Sequence, residues 1–391
     1  MDPVSIAKEL IAIPSVNPMG RDLAGPQYFE TRLTAYLIDF FKQLGVPYEQ
    51  IEVAPGRSNV IARYEAGVGK PTVLFDAHQD TVPVDGMTID PFDPVISNGR
   101  LYGRGACDDK GPLAAMLAAF ARLVDERPAG AANLVMSCTC DEESTVMGII
   151  DLVEMWSGSR RASQIIPAAP TCAVVAEPTG LDVVVAHRGA TRWKIKTTGI
   201  ACHSSRPSDG VNAIYRMAKV LDCLEKYAAK LPDLIPLHPL CGPATLSVGR
   251  IEGGQSVNTV PDFCAIEIDR RVVPGEDSLA VIDQLAEYLR EGLDFEVEHL
   301  PPWSTGIPLS DDDNGPLAER LIDTVTAVVG PTRKLGVPYG THASRIAATG
   351  VPSVVFGPGS IEQAHTRDEW VSIEQLEQAS DVYYRFCLAG G

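Results

Sequence analysis

The chain has no excess of positive charge. Its 33 Lys and Arg stand against 51 Asp and Glu, a formal balance of −18 over 391 residues. Phosphate backbones are gripped by clustered basic side chains, so the expectation is no nucleic-acid partner. No apolar run approaches the ~18 residues of a membrane span, so no membrane partner is expected either. The opening MDPVSIAKEL lacks the basic and apolar regions of a secretory signal, which makes the cytoplasm the expected location. Close cysteine pairs are scarce: of nine cysteines, Cys138 and Cys140 alone stand near each other. No CxxC or second pair completes a zinc cage, so reduced core thiols are expected. There is no internal repeat, and the glycine-rich GRGACDDKG lacks the GK[ST] ending of a phosphate loop.

What is present is an ordinary globular balance, 45% hydrophobic and 21% charged, on a chain long enough for two domains. TVLFD (72–76), LVMSCT (134–139) and AVVA (173–176) read as buried strands. PLAAMLAAFARLVD (112–125) reads as a helix with Pro112 near its first turn. Buried strands alternating with helices predict an α/β domain with a mostly parallel central sheet. The middle changes rhythm. Strands alternate at 190–198, 244–251, 262–270 and 294–299, with helices at 210–228 and 277–291. That order is βαββαβ, a ferredoxin-like α+β unit. After a Pro/Gly/Asp-rich stretch, α/β character returns with a helix at 315–329, a strand at 352–356 and a helix at 373–387. The expected organisation is one discontinuous domain, 1–187 and 303–391, with 188–302 inserted.

Chemistry gathers at the strand ends. His78-x-Asp80 follows TVLFD, and on extended backbone residues i and i+2 point the same way. Asp80 can then orient the imidazole and leave its other nitrogen for a metal. GRGACDDKG (103–111) places Asp108 or Asp109 where a carboxylate could bridge two cations; spacing alone does not choose between them. Asp141-Glu142-Glu143 ends a buried strand, where adjacent acids are costly unless a cation or solvent meets them. One of them can bind metal while its neighbour stays free as a base. Glu177 follows the next strand, and His365 lies in the segment after PSVVF. Each motif alone suits a structural role, such as an acidic cap or a solvated turn. Five such groups at the carboxyl ends of strands coincide with where open α/β sheets build their sites.

The motifs HQD (78–80), GRGACDDKG, DEE (141–143), AEPTG (176–180), GIACHSSRP (199–207), GGQSVNTVP (253–261) and AHTRDE (364–369) together resemble the co-catalytic zinc aminoacylase and carboxypeptidase family. That family includes acetylornithine deacetylase and succinyl-diaminopimelate desuccinylase. The resemblance spans nearly the whole chain in matching order. It implies a zinc-peptidase-like catalytic domain, with the inserted unit serving as lid and dimerisation domain of a homodimer. It implies two divalent metal ions, zinc first, with cobalt or manganese also suited to such ligands. His78 and Glu177 would hold one ion, Glu143 and His365 the other, and Asp108 would bridge them with a cis peptide after it. Asp80 would orient His78, Glu142 would be the general base, and His203 would reach in from the partner subunit as a hydrogen-bond donor. Arg271, Asn258 and Gly357 would meet substrate, with Arg270 a competitor to Arg271. The implied reaction is hydrolysis of the amide bond of a small N-acyl amino acid, closest in flavour to the deacetylase. Desuccinylase, dipeptidase and carboxypeptidase activities are the alternatives on the same metal core, and a non-catalytic metal-binding protein is a remote one. One departure stands out: His342, in GTHAS, occupies a place where the family usually has Asp. His187 is expected to be structural or interdomain, and His238 and His299, without motifs, to lie at the surface.

Overall fold

Short apolar runs rich in β-branched residues cannot shelter alone, and here they stack side by side into an eight-stranded sheet. In the computed structural model, which describes residues 1–158 and 162–390, Asn133–Thr139 is buried along its whole length and Thr72–His78 along nearly all of it. The strand order is Tyr48–Ala54, Arg57–Tyr64, Asn133–Thr139, Thr72–His78, Cys172–Val175, Ser353–Val355, Val183–His187, Lys334–Val337. The four strands from Asn133–Thr139 to Ser353–Val355 are parallel to one another. Antiparallel strands flank them on both sides. The sheet is thus parallel at its centre, and the carboxyl ends of those four strands share one rim.

The helix Lys110–Glu126 is buried around nearly all of its circumference. A helix apolar on every side belongs in a core, and its alanines admit the close neighbours Pro3–Ile11 and Ile373–Leu388. It starts two residues before Pro112. Gly111 is required there, because a Cβ at that position would lie 2.1 Å from the carbonyl oxygen of Ala106. The loop 103–108 is therefore folded tightly over the helix's first turn. The helices Pro3–Ile11 and Thr31–Leu44 and the two flanking strands Tyr48–Ala54 and Arg57–Tyr64 were not among the elements anticipated from the sequence. None of the described helices is long and apolar enough to cross a membrane.

The chain forms two units. One comprises Met1–Val185, Asp311–Leu335 and Thr341–Gly391, the other Ala186–Ser310 and Gly336–Gly340. Besides 186–187 and 336–340, the second unit takes 303–310, beyond the divisions expected at 187/188 and 302/303. The reason is a short strand, Ser304–Gly306, that pairs with Gly189–Thr198.

The second unit is built on alternation. Gly189–Thr198 buries every second residue and lies inside an antiparallel sheet ordered Thr245–Gly253, Phe263–Val272, Gly189–Thr198, Glu298–His299. Trp193 and Ile195 pack with Ile266 and Ile268 against Met217, Val220 and Leu224 of one helix and Leu285 and Leu289 of another. The strand expected over 294–299 shrinks to Glu298–His299. His299 and His238 are not simple surface residues. His299 accepts a hydrogen bond from the Trp193 indole at 3.2 Å, and His238 accepts two from backbone N–H groups of the turn that follows it.

Leu224 is 1% exposed at the centre of this core. Leu224→Ala should cost about 2–5 kcal/mol, the usual loss for emptying a packed leucine site, read as a lowered urea midpoint by circular dichroism. An unchanged midpoint would contradict the packing described here.

Candidate metal centre

The rim of the parallel sheet carries the site. His78 closes one central strand, Asp141 to Glu143 follow the next, and Glu177 follows the third within two residues. His78 is 2% exposed. Its Nδ1 lies 2.9 Å from the backbone oxygen of Asp80 and 3.5 Å from that residue's carboxylate. A carbonyl only accepts, so Nδ1 carries the proton and Nε2 turns outward. Asp80 thus orients His78 chiefly through its main chain.

Nε2 of His78 lies 3.0 Å from Oδ1 of Asp108. The other oxygen, Oδ2, lies 3.2 Å from Nε2 of His365. That same His365 nitrogen is 3.2 Å from Oε1 of Glu143. Asp108 therefore faces a different imidazole with each oxygen. His78, Asp108 and Glu143 present ligand atoms all within 4.8 Å of one another. Asp109 points elsewhere: its Oδ2 accepts the backbone N–H of His78 at 3.2 Å. The peptide between the two aspartates is cis. Of the acid pair, Glu143 meets His365, while Glu142 stands beside it and partly buried.

The electrostatics are those of a cluster with more carboxylates than cations. Burial, and then the charges of Asp108 and Glu142, push the Glu177 carboxyl well above its ordinary range. Glu143 is pushed up to about 8 by burial and by Asp108. Burial likewise raises Glu142. The imidazoles answer: hydrogen bonds to Asp108 and Glu143 lift His365 to about 10. Two imidazole nitrogens and three carboxylates, short of positive charge, are a donor set that fits divalent cations.

Asp80 and several residues without a motif position these groups. Asp80 is fully buried, and its carboxylate accepts the backbone N–H groups of Glu142 and Glu143 at 3.0 and 3.2 Å. It also accepts Asn17 Nδ2 at 2.8 Å. Arg57 binds Glu30 at 2.5 Å, bonds Asp141 and lies 3.9 Å from Asp80. Glu30 also accepts the backbone N–H of Asp141 at 3.1 Å; Asn17, Glu30 and Arg57 thus each bond a residue far along the chain, so no local pattern marks them.

The departing His342 is 2% exposed. Its Nδ1 lies 2.8 Å from Oδ2 of Asp76 and 3.3 Å from the Thr139 hydroxyl, beneath the rim. Gly357 packs on the main chain of Glu177, where a Cβ would lie 2.6 Å from the Glu177 oxygen.

The remaining candidates belong to the second unit. The strand Cys202–His203 pairs with Thr259–Val260, and Ser204 N–H donates to the Asn258 oxygen at 3.0 Å. His203 and Asn258 are thus neighbours, both exposed. Arg270 and Arg271 point to opposite sides of their strand. Arg270 is 1% exposed and bonded to Glu276 at 2.5 Å. Arg271 is partly exposed, with Nε 2.7 Å from Asp269.

Residues 74–389 match the family model described as peptidase family M20/M25/M40. The chain belongs to that family. As an M20 member it is a hydrolase of amide-type C–N bonds. It is 33% identical to an acetylornithine deacetylase of Pectobacterium carotovorum, with 98% of this chain and 97% of that one covered. It is 34% identical to an acetylornithine deacetylase of Vibrio parahaemolyticus, with 88% of each covered. Among solved structures, an M20 family metallo-carboxypeptidase from Sulfolobus solfataricus superposes with a TM-score of 0.77 at 20% identity, covering 100% of this chain and 99% of that one. That last likeness is one of fold.

In this M20 chain the Asp80 carboxyl is a hub with a measurable consequence. Burial alone would raise its pKa, but the His78 hydrogen bond and charge, with Asn17 and Arg57, hold it down at about 2. A folded-state value below the unfolded one contributes stability that is complete above about pH 4 and lost as pH falls toward 2. Asp80→Asn should therefore lower stability at pH 7 by about 2 kcal/mol, and the gap from the parent should narrow as pH drops from 4 to 3. Urea titrations at each pH check this; a constant gap would refute it.

Proposed function

We propose that this M20 hydrolase removes the acyl group from an N-acyl amino acid, with N-acetylornithine as the first substrate to test. The observation that carries the substrate class is the end-to-end similarity to acetylornithine deacetylases. The geometry supports the chemistry. His78 and Glu177 would hold one divalent cation, Glu143 and His365 a second, with Asp108 between them; zinc suits this set, as do cobalt and manganese. Such a pair, when bound, supplies Lewis acidity and a water of lowered pKa.

The chain's own groups do the rest. Glu142 takes the proton of the attacking water and passes it to the leaving amine. Its burial raises its pKa, which brings a carboxylate closer to the value a general base needs near neutrality. Asp80 holds the backbone of Glu142 and Glu143 in place. His203 would donate to the developing oxyanion from a partner subunit, with Asn258 beside it, and Arg271 would fork onto the substrate carboxylate. Gly357 would shape the pocket wall next to Glu177. Nine free thiols suit a reducing compartment, and we place the enzyme in the cytoplasm.

Glu142→Gln should keep bound metal but lose about 10²–10⁴-fold in kcat on the best of a panel of N-acetylornithine, N-succinyl-diaminopimelate and simple dipeptides. A parent inactive on the whole panel would favour a non-catalytic metal-binding protein. Best turnover on another panel member would reassign the substrate.

The homodimer would form through the second unit. Its strand Thr245–Gly253 lies at a sheet edge and is largely exposed. Ile214, Tyr215, Ile251 and Val257 are exposed as well. Open strand edges with apolar side chains favour pairing with another chain. Sedimentation at micromolar concentration should give twice the chain mass. A monomer alone would remove the partner's His203 from the reaction.

A further inference from the structure

Glu369 is fully buried and belongs to no ligand set. Its four polar contacts all run to one loop. Oε2 accepts Arg104 Nη1 at 2.7 Å and the Gly105 N–H at 3.0 Å. Oε1 accepts the N–H groups of Cys107 at 2.8 Å and of Asp108 itself at 3.0 Å. The Glu369 main-chain oxygen adds the Gly103 N–H at 3.1 Å. Directly after it, Trp370–Ser372 pairs in antiparallel register with Arg100–Tyr102. Four residues before it stands His365, whose ring faces Asp108 at 3.2 Å.

We propose that Glu369 is a positioning residue whose carboxylate fixes the Asp108 loop against the segment bearing His365, and so sets the affinity of the centre for divalent cations. This rests on the metal-binding reading given above. Arg104 apart, residues 103–108 are glycines and short side chains, with one backbone bond inside the loop, Ala106 N–H to the Gly103 oxygen at 3.1 Å, so the loop's shape leans on outside contacts. Three of its N–H groups converge on one buried carboxylate, which suits charge-assisted bonding. Arg104 balances the charge, so the clamp adds no net negative charge to a cluster already rich in it. Groups that orient metal ligands typically govern affinity by 10–100-fold.

The test must separate positioning from burial of an ion pair. Glu369→Gln alone strands the Arg104 cation and should destabilise the fold. Arg104→Gln with Glu369→Gln removes both charges together, so the metal-free double variant should regain thermal stability over the single one. Zinc affinity of each protein is measured by competition with a chromophoric chelator. The double variant should bind zinc at least tenfold more weakly than the parent, and its cobalt-loaded absorption spectrum should change. Parent-like zinc affinity in the double variant would overturn the proposal and leave a purely structural ion pair. Should the double variant not fold, Glu369→Asp, which keeps the charge but shortens the reach, is held to the same two outcomes. A parent that binds no divalent cation at all would instead bring down the metal reading, and this inference with it.

Discussion

The structure of the first unit is organised around carboxylates that cannot be buried alone. Asp76, Asp80, Asp108, Asp109, Asp141 and Glu177 are all buried at or beneath one rim of the sheet, with Glu142 and Glu143 partly so. An unpaired buried carboxylate is expensive, and a like-charged neighbour makes it more so. Some are met by the chain itself. Arg57 takes Glu30 and Asp141, and His342 takes Asp76. Asp108, Glu143 and Glu177 are left with little beyond two imidazoles. That surplus of unmet charge suits the rim to cations better than to a packed polar core.

Charge explains why ions would come; backbone explains why they would be held in one place. Parallel strands deliver His78, Glu143 and Glu177 to the same edge at the spacing of the sheet. The connecting loops are then tied by carboxylates to main-chain N–H groups, Asp80 to those of Glu142 and Glu143 and Glu369 to those of the Asp108 loop. Sites supported by strands and by a second layer of hydrogen bonds hold geometry better than sites on free loops.

The second unit has a separate logic. Its sheet has helices packed on one face, and its core is built from its own residues. Strand pleat sorts adjacent arginines to opposite sides, burying Arg270 and leaving Arg271 accessible. The short pairing of Cys202–His203 with Thr259–Val260 brings together two motifs more than fifty residues apart.

Much of this was legible in the sequence. Periodicity marked the central strands, the buried alanine-rich helix and the βαββαβ order, because local pattern and tertiary burial agree there. Motifs marked His78, Glu177 and His365 as single candidates, since the chemistry demands those residue types at strand ends. Asp108 against Asp109, and Glu142 against Glu143, could not be resolved by spacing. Which of two adjacent acids faces an imidazole depends on how the loop folds over Gly111 and where His365 arrives from the far end of the chain. Asn17, Glu30 and Arg57 carried no signal, because their partners are distant in sequence and polar pairing has no period. The sequence by itself therefore determined the class of fold and the stock of ligand-type residues. Only the tertiary structure decided which carboxylates converge and which are held apart, because that choice is made by hydrogen bonds between segments that meet only once the sheet has formed.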